Sequence, residues 1–530
     1  MLNYKIKPVV NLLLIVATFT AHPTSKKHLT MLTKIIVLSL YVLVLLMIGV
    51  LASRRVKDIK DYYVGGKKMG FWAVAFSARA TGESGWLLIG LTGMGAMAGL
   101  SAYWVVVGEV LGVFVSWFFM AKKFKHKSDA YGSITIPDYL TSHFKSKTNL
   151  LRGLAATILS VFVVIYVSTQ IDATGIAFES MMGLNYYTGA LIGFLIVLVY
   201  IFVGGFVAVV WSDLFQGLLM FFGLVLLPII MWQNMDGSVL SSLNAIDPAL
   251  TNIWGGNDNV WLNVAGILGF SMIGLGFLGS PQVYVRFMSI KDEQEINKGR
   301  WVAILFTLLT DAAAVTIGIL TRMYFTKEGQ DPEAILGVGG ADVLSLATEH
   351  FLPLTLTALF IAIVLSAIMS TVDSLLVLAS SAVTRDFYQK IFKPSADPKR
   401  LNRISRWVTL IMAFTALLLA FGLAYFSPER QVFWVIIFGW SGIAACFCPV
   451  IILSLFWPGY TERGAIASII SGFISVTLLK FVIQPMEGIG EYIDKLDVLA
   501  PSFIIAMFFG WFFSKLSSAN LKRSRPKKIV

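Results

Sequence analysis

Apolar residues run along this chain in blocks long enough to cross about 30 Å of hydrocarbon. They cover 35–53, 71–97, 102–121, 153–174, 188–204, 206–231, 260–281, 301–322, 351–382, 407–426, 432–457, 464–484 and 498–514, separated by mostly short polar segments. The pattern predicts an all-α membrane protein with thirteen transmembrane helices. Two blocks are flawed as membrane helices. The second carries Arg79 and then Ala80-Thr81-Gly82-Glu83-Ser84-Gly85-Trp86 at mid-depth, and the seventh carries Gly266-Ile267-Leu268-Gly269 and Ile273-Gly274-Leu275-Gly276. A helix in lipid must satisfy its own backbone, so glycines and charges at mid-depth predict a helix that opens there to bind something.

The two flawed blocks lie five spans apart. That spacing predicts a pair of inverted five-span repeats, about 71–231 and 260–457, each beginning with a broken helix, with spans 1, 12 and 13 outside the pair. The alternative is that these glycines serve close helix packing.

Composition and charge narrow the class. Hydrophobic residues make up 57% of the 530 and charged residues 14%, too few charges to clothe a soluble protein of this size. The formal net charge of +12 suggests nucleic-acid binding until it is mapped. Segments 54–70, 122–152, 282–300, 384–406, 458–463 and 515–530 hold 31 of the 42 basic residues, whereas 232–259 has none. Positive loops stay cytoplasmic, which predicts an outside amino terminus, an inside carboxyl terminus, no nucleic-acid partner, and at most a grip on anionic lipid. No linker divides the chain, so residues 31–516 read as one membrane domain followed by a basic tail, 517–530. Residues 1–30 read either as a weak signal-like segment or as a start codon placed too early, because Met31 opens directly into the first span.

Cys446 and Cys448 lie inside the eleventh span and read as small buried hydrophobes. The five histidines lie in or beside loops, which leaves no ligands for a zinc or haem cofactor at depth. No nucleophile constellation appears there either, so the chain reads as no enzyme.

The chemistry concentrates in three places. The ninth span holds Ala367-Ile368-Met369-Ser370-Thr371-Val372-Asp373-Ser374. A hard monovalent cation wants oxygens without a large net charge. Ser370 and Thr371, about 100° apart on a helix, can reach one neighbour, with carbonyls from Ala80 and Glu83 at the break and from Ala367. The alternative is that both hydroxyls bond back to their own preceding turn. Asp213 lies just inside the sixth span, as a cation or proton station or as a structural acceptor. Asp373, one turn beyond Ser370, could join it in a second cation site or exit path. Arg79 and Glu83 are spaced i, i+4, so they either pair with each other or leave Arg79 to meet a substrate carboxylate. Glu109 and Asp311 read as facing neighbouring helices.

Together Ser84-Gly85-Trp86-Leu87-Leu88, Ile136-Pro137-Asp138-Tyr139, Gly205 to Asp213, Gly274-Leu275-Gly276-Phe277 through Pro281, Arg286-Phe287-Met288, Met369-Ser370-Thr371, and Gly439-Trp440-Ser441-Gly442 through Pro449 resemble the sodium/solute symporter family, nearest to its sodium/proline branch. The resemblance covers nearly the whole chain after Met31. It implies a five-plus-five inverted-repeat, LeuT-like fold in the cell membrane and sodium-driven import of a small organic solute such as proline. It also implies a sodium site at Ala80, Glu83, Ala367, Ser370 and Thr371, and a solute held against Ser84, Gly85, Trp86, Phe277 and Pro281, with Arg79 and Ile273 beside it. The chain departs from the proline branch, which has an aspartate at Gly82, a small residue at Arg79, and Trp and Tyr at Ile273 and Phe277. Lost donors imply a changed ligand, so the expectation widens to a related amino acid. Proton coupling through Asp213 or Glu83, and a transporter-like sensor, are the alternative functions. No oligomeric state follows from the pattern.

Overall fold

The computed structural model of the chain describes residues 26–54, 59–201 and 205–523. The expectations for residues 1–25 and for 524–530 of the basic tail lie outside them. The described chain is helical, apart from one isolated bridge between Met69 and Ile290. In order it forms α1 (Lys26–Ser53), α2 (Phe71–Gly82), α3 (86–98), α4 (103–130), α5 (Leu150–Met182), α6 (Tyr186–Ile201), α7 (Gly205–Gln233), α8 (Val260–Met272), α9 (Pro281–Ser289), α10 (Glu293–Phe325), α11 (Leu354–Ser381), α12 (Pro398–Phe426), α13 (Val432–Phe456), α14 (Glu462–Leu478) and α15 (Leu499–Arg523).

Eleven helices among the described residues are long and apolar enough to cross a membrane, against thirteen apolar blocks in the sequence. The second block is cut: α2 has only 12 residues, and α3 runs on into α4 as one stretch, Trp86–Ala130. The described part of the fifth block is α6, whose 16 residues are fewer than the roughly 20 that span hydrocarbon; 202–204 lie outside the described residues.

The most apolar window of α11 is 100% buried, compared with 33% for α7. Enclosed on every side, its hydroxyls and Asp373 included, α11 forms the central post of the bundle. At the periphery α12 and α15 turn Leu418, Phe426, Phe508 and Trp511 outward, as a surface facing lipid does.

Both flawed blocks depart from regular helix. At the end of α2, Glu83 takes extended angles (φ −97°, ψ 90°). After α8 the chain tightens into a 3₁₀ stretch, Ile273–Leu278, then turns at Ser280 (φ −56°, ψ 127°) and restarts at Pro281. Proline suits the first helical position because it has no N–H to lose there. Glycines of the seventh block also serve close packing. A Cβ on Gly108 of α4 would stand 2.0 Å from the Ser271 carbonyl oxygen, one on Gly112 2.1 Å from that of Gly274, and one on Gly274 1.9 Å from that of Gly108. Backbone meets backbone along this seam.

Candidate functional site

A broken helix in a membrane must find partners for the carbonyls it releases. At the first break, the Ser370 hydroxyl of α11 donates to the Ala80 carbonyl at 2.8 Å and the Thr371 hydroxyl to that of Thr81 at 3.1 Å. The Trp86 indole N–H donates to the Gly82 carbonyl at 2.9 Å, and the Gly85 N–H to Gln170 Oε1 at 3.1 Å. At the second break, the Trp440 indole donates to the Ile273 carbonyl at 3.1 Å and the Cys448 thiol to that of Gly276 at 3.3 Å. Cys446 and Cys448 are free and buried, and the Cys448 thiol also lies 3.8 Å from the Ser280 hydroxyl.

Ser370 and Thr371 also bond back to the Ala367 carbonyl, at 3.0 and 3.2 Å. Local back-bonding and reach to the neighbour are therefore both realised. Five oxygens converge: the carbonyls of Ala80, Thr81 and Ala367 and the two hydroxyls. Every one of these residues is fully buried. Thr81 was not among the expected ligands. Glu83 lies two residues further on, and its carboxylate turns away toward Arg79.

Arg79 and Glu83 form the i, i+4 ion pair. Arg79 Nε donates to Glu83 Oε1 at 3.0 Å and Nη2 makes a shorter contact with the same oxygen, while the Thr310 hydroxyl donates to Glu83 Oε2 at 3.0 Å. The guanidinium lies over the Phe277 ring, 4.4 Å from its centre. Phe277 packs on Trp440 and closes against Gly82, where a Cβ would stand 2.8 Å from its ring. The expected solute residues divide accordingly. Arg79, Phe277 and Ile273 gather at the crossing of the breaks, and Ser84 faces Tyr166 at 3.5 Å. Trp86 packs edge-on against Phe433, which lines an open vestibule of about 690 Å³ together with Met94, Met97, Phe270 and Trp434. Pro281 opens α9 and lies five residues before Arg286.

Arg286 is the residue the loop count misplaced. It is 0% exposed, and its guanidinium donates to Ser77 Oγ at 3.0 Å, the Gln282 carbonyl at 2.7 Å, Thr81 Oγ1 at 2.7 Å, Asp213 Oδ2 at 3.1 Å and Ser374 Oγ. Ser77 donates to Asp213 Oδ2 at 2.6 Å, and Ser374 to Asp373 Oδ1 at 3.1 Å. Asp213 and Asp373 thus belong to one network, joined through Arg286 and Ser374. The signal in the sequence was its setting: Val283-Tyr284-Val285 before it and Phe287-Met288 after it are not loop residues.

A sequence profile of the sodium:solute symporter family matches residues 62–472. The chain belongs to this family. The symporter is 33% identical to the high-affinity proline transporter PutP of Bacillus subtilis (strain 168) over 481 residues, 90% of this chain and 96% of that one. It is 32% identical to the osmoregulated proline transporter OpuE of the same organism, over 92% of this chain and 96% of that one. Its fold matches a Na⁺-coupled sialic acid symporter in a substrate-bound outward-open state, with a TM-score of 0.72, 19% identity, and coverage of 91% and 98%. The symporter is therefore a multi-pass membrane transporter that couples import of a small solute to sodium, and not an enzyme.

Proposed function

We propose that this symporter imports proline or a related amino acid with sodium by alternating access. The observation that carries this reading is the double reach of Ser370 and Thr371, which tie the released carbonyls of Ala80 and Thr81 to Ala367 on an unbroken helix. Sodium binds there, next to the Glu83 carbonyl, and holds the α2 break against α11. The solute site between the breaks forms as a result, against Ser84, Gly85, Trp86, Ile273 and Phe277, with Pro281 at its far edge. The names of the relatives support proline, and the altered residues at Arg79, Gly82, Ile273 and Phe277 extend the class to related amino acids.

In this reading α2–α3 together and α6 also cross the plasma membrane, giving thirteen spans. Residues 71–231 and 260–457 form the inverted five-plus-five core, with the amino terminus outside. Arg286 supplies the cation of the Asp213–Asp373 station. Coupling is reciprocal, so the solute raises sodium affinity by the factor by which sodium raises solute affinity. At −100 mV each sodium contributes about 2.3 kcal/mol.

The test is uptake of labelled proline into proteoliposomes under an inward sodium gradient, against potassium and against a pH gradient alone, with unlabelled amino acids and sugars as competitors. Uptake that follows sodium and is blocked by amino acids supports the proposal. Uptake driven by pH without sodium refutes the coupling ion, and competition by sugars alone refutes the solute class.

A further inference from the structure

Three carboxylates and one guanidinium are buried together where the two breaks meet. Arg79, Glu83, Glu109 and Asp311 are each at most 1% exposed. Arg79 and Glu83 satisfy one another, with Thr310 completing Glu83. That leaves two carboxylates in excess. Glu109 Oε2 stands 3.7 Å from Arg79 Nη2, beyond hydrogen-bond range, and neither Glu109 oxygen has a hydrogen-bond partner. Asp311 has the Thr310 hydroxyl at 3.4 Å from Oδ1 and no partner on Oδ2.

Buried carboxyl oxygens without hydrogen-bond partners are costly, and an arrangement of this kind is completed by a ligand that brings both charge and hydrogen. The cluster faces the candidate solute site and not lipid, because Arg79 lies on Phe277 and Phe277 on Gly82 and Trp440. Among the described residues no group of three or more His, Cys, Asp or Glu stands close enough to hold a metal ion. The charge of Arg79 is already paired with Glu83 through Nε and Nη2. The three open acceptors instead match a group with a positive charge and at least two N–H bonds. A quaternary ammonium lacks the hydrogens, a sugar lacks the charge, and a carboxylate is repelled.

We infer that Glu109 and Asp311 receive the protonated nitrogen of the solute, an inference that rests on the symport reading and narrows its substrates to compounds with a protonated primary or secondary nitrogen.

The experiment is thermal stabilisation of the purified full chain in sodium or potassium chloride by four probes: L-proline, pyrrolidine (nitrogen without carboxylate), tetrahydrofuran-2-carboxylate (carboxylate without nitrogen) and N,N-dimethylproline (nitrogen without N–H). L-proline and pyrrolidine should stabilise the protein and the other two should not. Glu109→Gln should raise the half-saturating proline concentration about tenfold or more, as loss of a charged hydrogen bond does. Glu109→Asp should keep the selectivity, and neither variant should alter stabilisation by sodium alone. If Glu109→Gln does not fold, Asp311→Asn replaces it, with the same expectation. Stabilisation by tetrahydrofuran-2-carboxylate or N,N-dimethylproline, an unchanged half-saturating concentration in the variant, or no response to either N–H probe overturns the inference. Selectivity for the N–H probes that is the same in both salts sustains it and counts against sodium coupling instead.

Discussion

Replacing Thr371 by Val tests the sodium site with the least disturbance of shape. Both side chains are branched at Cβ, and Thr371 is fully buried, so the change removes one oxygen and adds a methyl group. The hydroxyl donates to the carbonyls of Thr81 and Ala367 at 3.1 and 3.2 Å. To coordinate sodium it keeps its proton on one carbonyl and turns a lone pair to the ion. The variant deletes one of five oxygens from a dry site, and loss of a buried polar partner costs about 1–3 kcal/mol. That corresponds to about 5- to 150-fold in affinity. Part of the loss cancels, because the Thr81 carbonyl also loses its donor when no ion is bound. The expected rise in half-saturating sodium is therefore toward the lower end, about tenfold. The assay is uptake as a function of sodium concentration in proteoliposomes, paired with a sodium titration of melting temperature that needs no solute. Thr371→Ser, which keeps the oxygen, should stay within about twofold of the parent protein. A folded Thr371→Val variant with unchanged half-saturating sodium would refute the assignment.

Other consequences follow from the same geometry. Arg286→Gln removes the donors that Asp213, Thr81 and Ser374 share and leaves a buried charge unpaired, which should cost about 3–5 kcal/mol of stability; melting of the detergent-solubilised protein reads it, and adding Asp213→Asn should restore part of the loss. Gly274→Ala should destabilise by about 1–3 kcal/mol, since its Cβ would stand 1.9 Å from the Gly108 carbonyl oxygen, whereas Gly266→Ala, which meets nothing within 4 Å, should melt like the parent. Burial lowers the His143 imidazole to about 4, and the Lys127 charge adds to this. The ordinary value is about 6.5, so the unfolded chain takes up the proton first: His143 supports the fold fully above about pH 6.5 and progressively less down to pH 4. His143→Phe, which can keep the stacking on Tyr139, should flatten the acid side of the curve of melting temperature against pH.

What the sequence discloses depends on how far each partner lies along the chain. The α2 break was legible because Arg79, Gly82, Glu83 and Gly85 interrupt a long apolar run, and lipid tolerates such an interruption only where something compensates it. The hydroxyl pair at Ser370 and Thr371 was legible because adjacent residues on one helix point to one neighbour. That Thr81 also presents its carbonyl to Thr371 depends on how α2 and α11 cross, and no local pattern encodes that. Arg286 was read as a cytoplasmic charge because a positive residue after an apolar block ordinarily marks the end of the membrane. Here the span runs on: after the turn at Ser280 the same apolar stretch continues through α9 to Ser289, and Arg286 within it reaches Asp213. Glu109 and Asp311 were placed against neighbouring helices without a partner, since their relation to Arg79 joins α2, α4 and α10. The i, i+4 pairing of Arg79 with Glu83 was one of two readings open in the sequence, legible to that extent because it needs only one helix.

The seam between α4 and the end of α8 is a bearing surface. Gly108, Gly112 and Gly274 bring peptide against peptide, so at these three points no side chain of theirs stands between the two segments. Knobs set into holes would make motion along it a series of discrete jumps, each with its own barrier. If the broken helix moves during transport, these three points offer it few side-chain barriers while close van der Waals approach keeps it from lifting away. Friction at this one place would then help set the turnover rate, and a single added methyl group would turn the bearing into a wedge.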